Sequence, residues 1–102
     1  MIALLEEKQK EIVDLCNSFR VLRLDVFGSV TNHTFDPTHS DIDFVVEFLP
    51  CDTKMHYECY FGLLEGLEQV FERQVDLVEY SSLRNPYFIQ SLEASRENVY
   101  AA

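Results

Sequence analysis

Hydropathy along this chain alternates between two periods, and that alternation limits it to a layered packing of strands and helices. From Val21 to Phe27, Leu22, Leu24 and Val26 alternate with Arg23 and Asp25, so this segment reads as a strand that Gly28-Ser29 breaks. Asp41 to Phe48 reads as a second strand, ended by Pro50, Cys51 and Asp52, and Gln74 to Tyr80 as a third. Residues about 3–19 place Leu5, Ile12, Leu15, Cys16 and Phe19 at helical spacing. Met55, Cys59, Leu63, Leu67 and Val70 mark a second helix, with Asp52 or Thr53 as its cap. Asn85-Pro86 opens a short last helix, whose apolar side is Phe88, Ile89, Leu92 and Val99. Residues 31–40 are rich in Thr, Asn, His, Asp, Pro and Ser and read as a loop, with a short helical turn after Ser29. The order helix, strand, loop, strand, helix, strand, helix predicts an α+β fold with a small mixed β-sheet packed with helices. Gly62 and Gly66 lie inside the second helix and each lowers its propensity by about 1 kcal/mol relative to Ala. A face packed closely against the sheet would account for them.

The 102 residues have room for one core, so residues 1–102 are expected to form a single domain. Eight basic against 18 acidic side chains give a formal net charge of -10. That balance excludes electrostatic binding to nucleic acid, which requires cations to displace the counterions of phosphates. It equally disfavours an anionic membrane surface. The longest apolar runs, such as Phe44-Val45-Val46, are too short to span a bilayer. The N-terminus turns acidic at Glu6 and lacks the pattern of an export signal. Cys16, Cys51 and Cys59 form no CxxC pair, so reduced thiols in a cytoplasmic protein are expected. These cysteines and the three histidines also lack zinc-finger spacing.

The chemistry is carried by Gly28-Ser29 at the end of one strand and Asp41-Ile42-Asp43 at the start of the next. Residues two apart on a strand share a face, so the Asp41 and Asp43 carboxylates fall close together. Such a pair is costly unless a cation neutralises it or one member takes a proton. Mg²⁺, or Mn²⁺ in its place, prefers such hard oxygen ligands. Ile42 and Phe44 then point the opposite way, into the core. Asp76, within Val75-Asp76-Leu77-Val78, adds a third carboxylate if its strand lies beside that of Asp43. Three converging acids suit metal-assisted phosphoryl or nucleotidyl transfer. Gly28 lets the backbone turn sharply, and Ser29 can offer its amide and hydroxyl to a phosphate.

The run Leu24-Asp25-Val26-Phe27-Gly28-Ser29, through Ser40-Asp41-Ile42-Asp43-Phe44-Val45-Val46, resembles the signature of DNA-polymerase-β-type nucleotidyltransferases. Val75-Asp76-Leu77-Val78, Asn85-Pro86-Tyr87 and Tyr100 are similar to the minimal, MNT-type members, which are antitoxins paired with HEPN-domain ribonuclease toxins. The resemblance covers nearly the whole chain. It implies a compact nucleotidyltransferase core that uses ATP and Mg²⁺ to transfer AMP to a tyrosine hydroxyl of a HEPN partner, with which it would form a hetero-oligomer. By the same resemblance, Gly28 and Ser29 bind phosphate, Asp41 and Asp43 bind metal, and Asp76 is both a metal ligand and the base on the acceptor hydroxyl.

The chain departs from the family where a basic Arg-Ala-Arg-Gly stretch commonly follows Gly-Ser. Here the residues are Val30-Thr31-Asn32-His33. Lys54 and Arg84 are the candidates to replace the missing arginine. The departure favours a rival reading, in which a non-catalytic antitoxin neutralises its toxin by binding and occlusion. A small-molecule acceptor would need a second domain to hold it. Among the remaining candidates, His33 and His39 read as solvent-exposed loop residues. Tyr57, Tyr60 and Phe61 read as core or partner interface, and Glu65, Glu68 and Glu72 as the solvated face of the second helix.

Overall fold

The computed structural model describes residues 3–31 and 41–102. Within them four strands form one sheet: β1 (Val21–Phe27), β2 (Ile42–Phe48), β3 (Val75–Glu79) and β4 (Glu97–Ala101). Their order is β3-β2-β1-β4. β1 is antiparallel to both β2 and β4, while β2 and β3 run parallel, so the sheet is mixed as expected. The parallel pair is joined by a helix that crosses from the end of β2 to the start of β3, since parallel strands cannot be joined by a tight turn. Of the loop read over residues 31–40, Thr31 ends the turn after β1, and residues 32–40, with His33 and His39, lie outside the described residues.

The helices are α1 (Ala3–Glu7), α2 (Gln9–Ser18), α3 (Thr53–Phe71) and α4 (Pro86–Ser95). The first expected helix is thus two, separated at Lys8, whose amide reaches back to the Leu5 carbonyl at 3.2 Å. The Asp52 side chain accepts from the Met55 amide at 2.8 Å and caps α3. Asn85 caps α4 by accepting from the Tyr87 and Phe88 amides, with Pro86 in the first helical position. Caps of this kind contribute about 1 kcal/mol each.

One face of the sheet packs on the helices through Leu24, Val26, Ile42, Phe44 and Val46, which meet Ile12, Cys16, Leu63 and Leu67 in the main core. Ile42 and Phe44 are fully buried there, which turns the residues between them to the other face. That second face carries a smaller cluster of Phe27, Val45 and Leu92, the last supplied by α4.

Gly62 and Gly66 pack against α2, not against the sheet. A Cβ at Gly62 would collide with the Phe19 ring, and one at Gly66 with the Leu15 side chain. Small residues there let two helices approach closely. The last helix ends earlier than its pattern suggests, because Arg96 takes an extended conformation and residues 97–101 become β4. Val99 is buried in the main core from that strand and not from α4. The tie is electrostatic. Asp25, wholly buried on β1, accepts from Arg96 Nε at 2.5 Å and from Asn98 Nδ2 at 2.8 Å, and pairs with Arg23. Burial works against ionisation of Asp25, but the hydrogen bonds from Arg23, Asn98 and Arg96 outweigh it and hold its carboxyl below the usual range.

Candidate active site

β1 ends at Phe27, and Gly28 then turns the chain with φ +73°, a left-handed conformation that favours glycine. Gly28–Thr31 forms a short 3-10 turn, closed by the Thr31 hydroxyl donating to the Gly28 carbonyl at 2.7 Å. Ser29 sits half-buried in that turn. Space also requires glycine here, because a Cβ on Gly28 would lie 2.6 Å from Asp43 Oδ2. The Gly28 turn is therefore seated directly on the Asp43 carboxylate. The Gly28 amide in turn donates to Ser95 Oγ at 3.4 Å, which links the turn to the C-terminal end of α4. Ser95 was not legible as part of the site, since it lies 67 positions away in an ordinary helical context.

Strand register brings the acids together. Phe27 is paired with Asp43 across β1 and β2, and Asp43 with Asp76 across β2 and β3. Neighbouring strands lie about 4.8 Å apart, so paired side chains on one face touch. Asp43 is partly buried, whereas Asp41 and Asp76 are exposed. Asp41 precedes β2 by one residue. Burial, the charge of Asp76, a hydrogen bond shared with Asp76 and the charge of Asp41 together push the Asp43 carboxyl up to about 6. Ionisation of Asp43 is thus resisted where it meets Asp76, and Asp41 adds to this by its charge.

Among the described residues, no three acidic, histidine or cysteine side chains are gathered into a ready-made cage for a metal ion. Mg²⁺ does not need one, because it is usually held by one or two carboxylates with substrate phosphate and water completing the octahedron. The contact between Asp43 and Asp76 supplies hard oxygens and an excess of negative charge. That donor set fits such a cation.

The other polar candidates lie elsewhere. His56 faces Glu79, with Nε2 2.7 Å from Oε1. Tyr57, Tyr60 and Phe61 line a separate cleft of about 530 Å³. Arg84 donates to the carbonyls of Ser81 and Leu83 at 2.9 Å, and Lys54 is exposed in the first turn of α3. None of these contacts brings a basic group to the acids. Among the described residues, no helix is long and apolar enough to cross a membrane.

Residues 6–99 match the family model described as a nucleotidyltransferase domain. A Methanocaldococcus jannaschii protein, designated by name a protein adenylyltransferase, is 35% identical over 86 residues, covering 84% of this chain and 82% of the relative. A solved structure described as a minimal nucleotidyltransferase superposes with a TM-score of 0.74 at 25% identity, covering 91% of this chain and 90% of the other. The fold is also that of the MNT antitoxin complexed with a tri-AMPylated HEPN toxin from Shewanella oneidensis. There the TM-score is 0.64 at 19% identity, over 96% of this chain and 73% of the other. The turn on Gly28, the paired acids and a match running almost from end to end lead to one conclusion: the chain belongs to the nucleotidyltransferase domain family, as an enzyme of its minimal type.

Proposed function

We propose that this chain is a protein adenylyltransferase that moves AMP from ATP to a tyrosine hydroxyl of a HEPN ribonuclease toxin, and so acts as its antitoxin in the cytoplasm. The observation that carries the reading is the Gly28 turn seated on the Asp43 carboxylate just beyond β1, with Asp43 and Asp76 paired across adjacent strands. The name of the archaeal relative and the AMP groups on the Shewanella toxin support the choice of donor and acceptor.

In this mechanism, Asp41, Asp43 and Asp76 are the residues that would hold Mg²⁺ or Mn²⁺. A divalent cation there would supply charge neutralisation at the phosphate under attack. Ser29 offers its amide and hydroxyl to the phosphates, and Gly28 lets the turn that carries it lie close against Asp43. Asp76, the more exposed of the paired acids, takes the proton from the acceptor hydroxyl. The hydroxyl oxygen bonds to the α-phosphorus, the bond to the bridging oxygen breaks, and pyrophosphate leaves. A net charge of -10 favours a basic protein surface as partner and repels free nucleic acid.

The test is to co-purify the chain with its HEPN partner, add ATP and Mg²⁺, and weigh the partner intact. A gain of one or more adenylyl groups, absent with Asp76→Asn, is expected. Protection from the toxin without any mass gain would instead establish occlusion. Val30-Thr31-Asn32-His33, which stands in place of the usual basic stretch, favours that second reading.

A further inference from the structure

The cleft of about 530 Å³ lies between the N-terminal half of α3 and the end of β3, with Leu83 beyond it. β3 is an edge strand, so nothing within the sheet covers this side. Asp76 and Glu79 are three apart on β3 and leave it on opposite faces, which separates the cleft from the paired acids. Its walls are aromatic. Tyr57 and Phe61, one helical turn apart, are 60% and 58% exposed, and their rings lie nearly parallel at 11°. Tyr60 meets Phe61 edge-on at 5.2 Å and is anchored by donating its hydroxyl to the Leu77 carbonyl at 2.6 Å.

A carboxylate also lines the cleft. The Glu79 carboxylate is mostly sheltered, with 19% of its side chain exposed, and His56 is the imidazole facing it. An ionised carboxylate offers about four acceptor positions, and one imidazole fills a single one. Aromatic faces around a sheltered carboxylate attract a cation: the ring quadrupoles and the negative charge act in the same direction. A phosphate or carboxylate ligand would meet Glu79 and a net charge of -10. A planar guanidinium satisfies both features, since it stacks on rings and bonds a carboxylate through its fork.

We propose that this cleft is a docking pocket for an arginine side chain on the surface of the protein partner. It rests on the protein-acceptor reading above and deepens it. A ribonuclease must present basic residues to hold RNA. An arginine of that surface drawn into the cleft would anchor the partner by the face of α3 that leaves the catalytic acids open.

The probe is a Gly-Gly-Arg-Gly-Gly peptide with blocked ends, titrated into the isotope-labelled full chain while amide shifts are followed. Its control replaces arginine with citrulline, which has nearly the same shape and no charge. Saturable shifts are expected at Tyr57, Tyr60, Phe61 and Glu79 with arginine and not with citrulline. Glu79→Gln should weaken binding by about ten-fold or more, the loss of a charge-assisted hydrogen bond. The exposed pair Tyr57→Ala and Phe61→Ala should do the same, and neither change should alter Mg²⁺–ATP affinity. Asp76→Asn should keep arginine binding while losing AMP transfer, so failure of the pocket and failure of the catalytic reading are separable. Equal binding of the two peptides, shifts centred on Asp41, Asp43 and Asp76, undiminished binding by Glu79→Gln, or a dimer of this chain that covers the cleft would each overturn the proposal.

Discussion

Replacing Gly28 by Ala tests the site with a single methyl group. Two costs arise, and the structure allows each to be sized. First, φ at Gly28 is +73°, and holding an L-residue there costs about 1–2 kcal/mol. Second, the new Cβ would sit 2.6 Å from Asp43 Oδ2, so the carboxylate must retreat by about 0.8 Å to reach an ordinary contact near 3.4 Å. The stability cost stays small against the roughly 5–15 kcal/mol that holds a domain of this size together, so the protein remains folded. Catalysis is less tolerant, because a misplacement of about 1 Å at a reacting centre costs on the order of a hundred-fold in rate. Urea unfolding should therefore show a loss of about 1–3 kcal/mol, while AMP transfer to the partner falls by about two orders of magnitude. Transfer within twofold of wild type, from a variant with unchanged stability, would refute the idea that the Gly28 contact sets the position of Asp43.

Substitutions at four further residues have expected outcomes. Ser29→Ala should weaken ATP binding by about 1.5–3 kcal/mol in calorimetry, the loss of one hydrogen bond to a charged phosphate. Asp76→Asn should bind ATP almost normally yet fail to label the partner with AMP. Asp43→Asn should raise the stability of the metal-free protein in EDTA at neutral pH, because it removes the repulsion by Asp76 and Asp41. The same variant should lose the stabilisation that added Mg²⁺ gives wild type, and an unchanged response to Mg²⁺ would remove Asp43 from the metal site. Asp25→Ala should cost about 1–3 kcal/mol, since Arg96 Nε and the Asn98 amide lose their buried acceptor while Arg96 keeps its pair with Glu93. The Asp25 carboxyl is held below its ordinary value, so the stability it contributes is present above the usual carboxylate range and is lost as pH falls through its folded value. Acid titration of wild type beside Asp25→Asn reads that difference, and identical acid unfolding curves would contradict it.

Much of the molecule was legible because its signals are local. The position of β1 was legible from its branched residues, but its alternation was not borne out, because the register shifts after Val21, leaving Leu22 exposed, and Asp25 is buried by its ionic partners; the starts of α3 and α4 follow from Asp52 and Asn85, whose side chains reach amides only two or three positions away. The break at Lys8 was not legible, since Leu5 and Ile12 both keep helical spacing across it. β4 was missed for a different reason. Its five residues contain one deeply buried side chain, Val99, too few to establish a period, and they follow a helix whose apolar spacing Val99 continues. Pairing with β1 and the bonds from Asn98 and Arg96 to Asp25 make it a strand.

The same division runs through the site. Residue identity alone showed that Gly28 permits a sharp turn and led to the expectation that the Asp41 and Asp43 carboxylates fall close enough to need a cation or a proton. It also supplied the spacing on which the family resemblance rested. Tertiary structure alone decided that β3 lies parallel and in register beside β2, so that Asp76 meets Asp43 across 33 positions of chain. It likewise decided that Ser95 supports the Gly28 turn and that Glu79 lines one cleft with the aromatic rings of α3. Turn geometry and side-chain direction follow from a few consecutive dihedral angles, whereas register between distant strands follows from the packing of the whole core, which no short window of sequence contains.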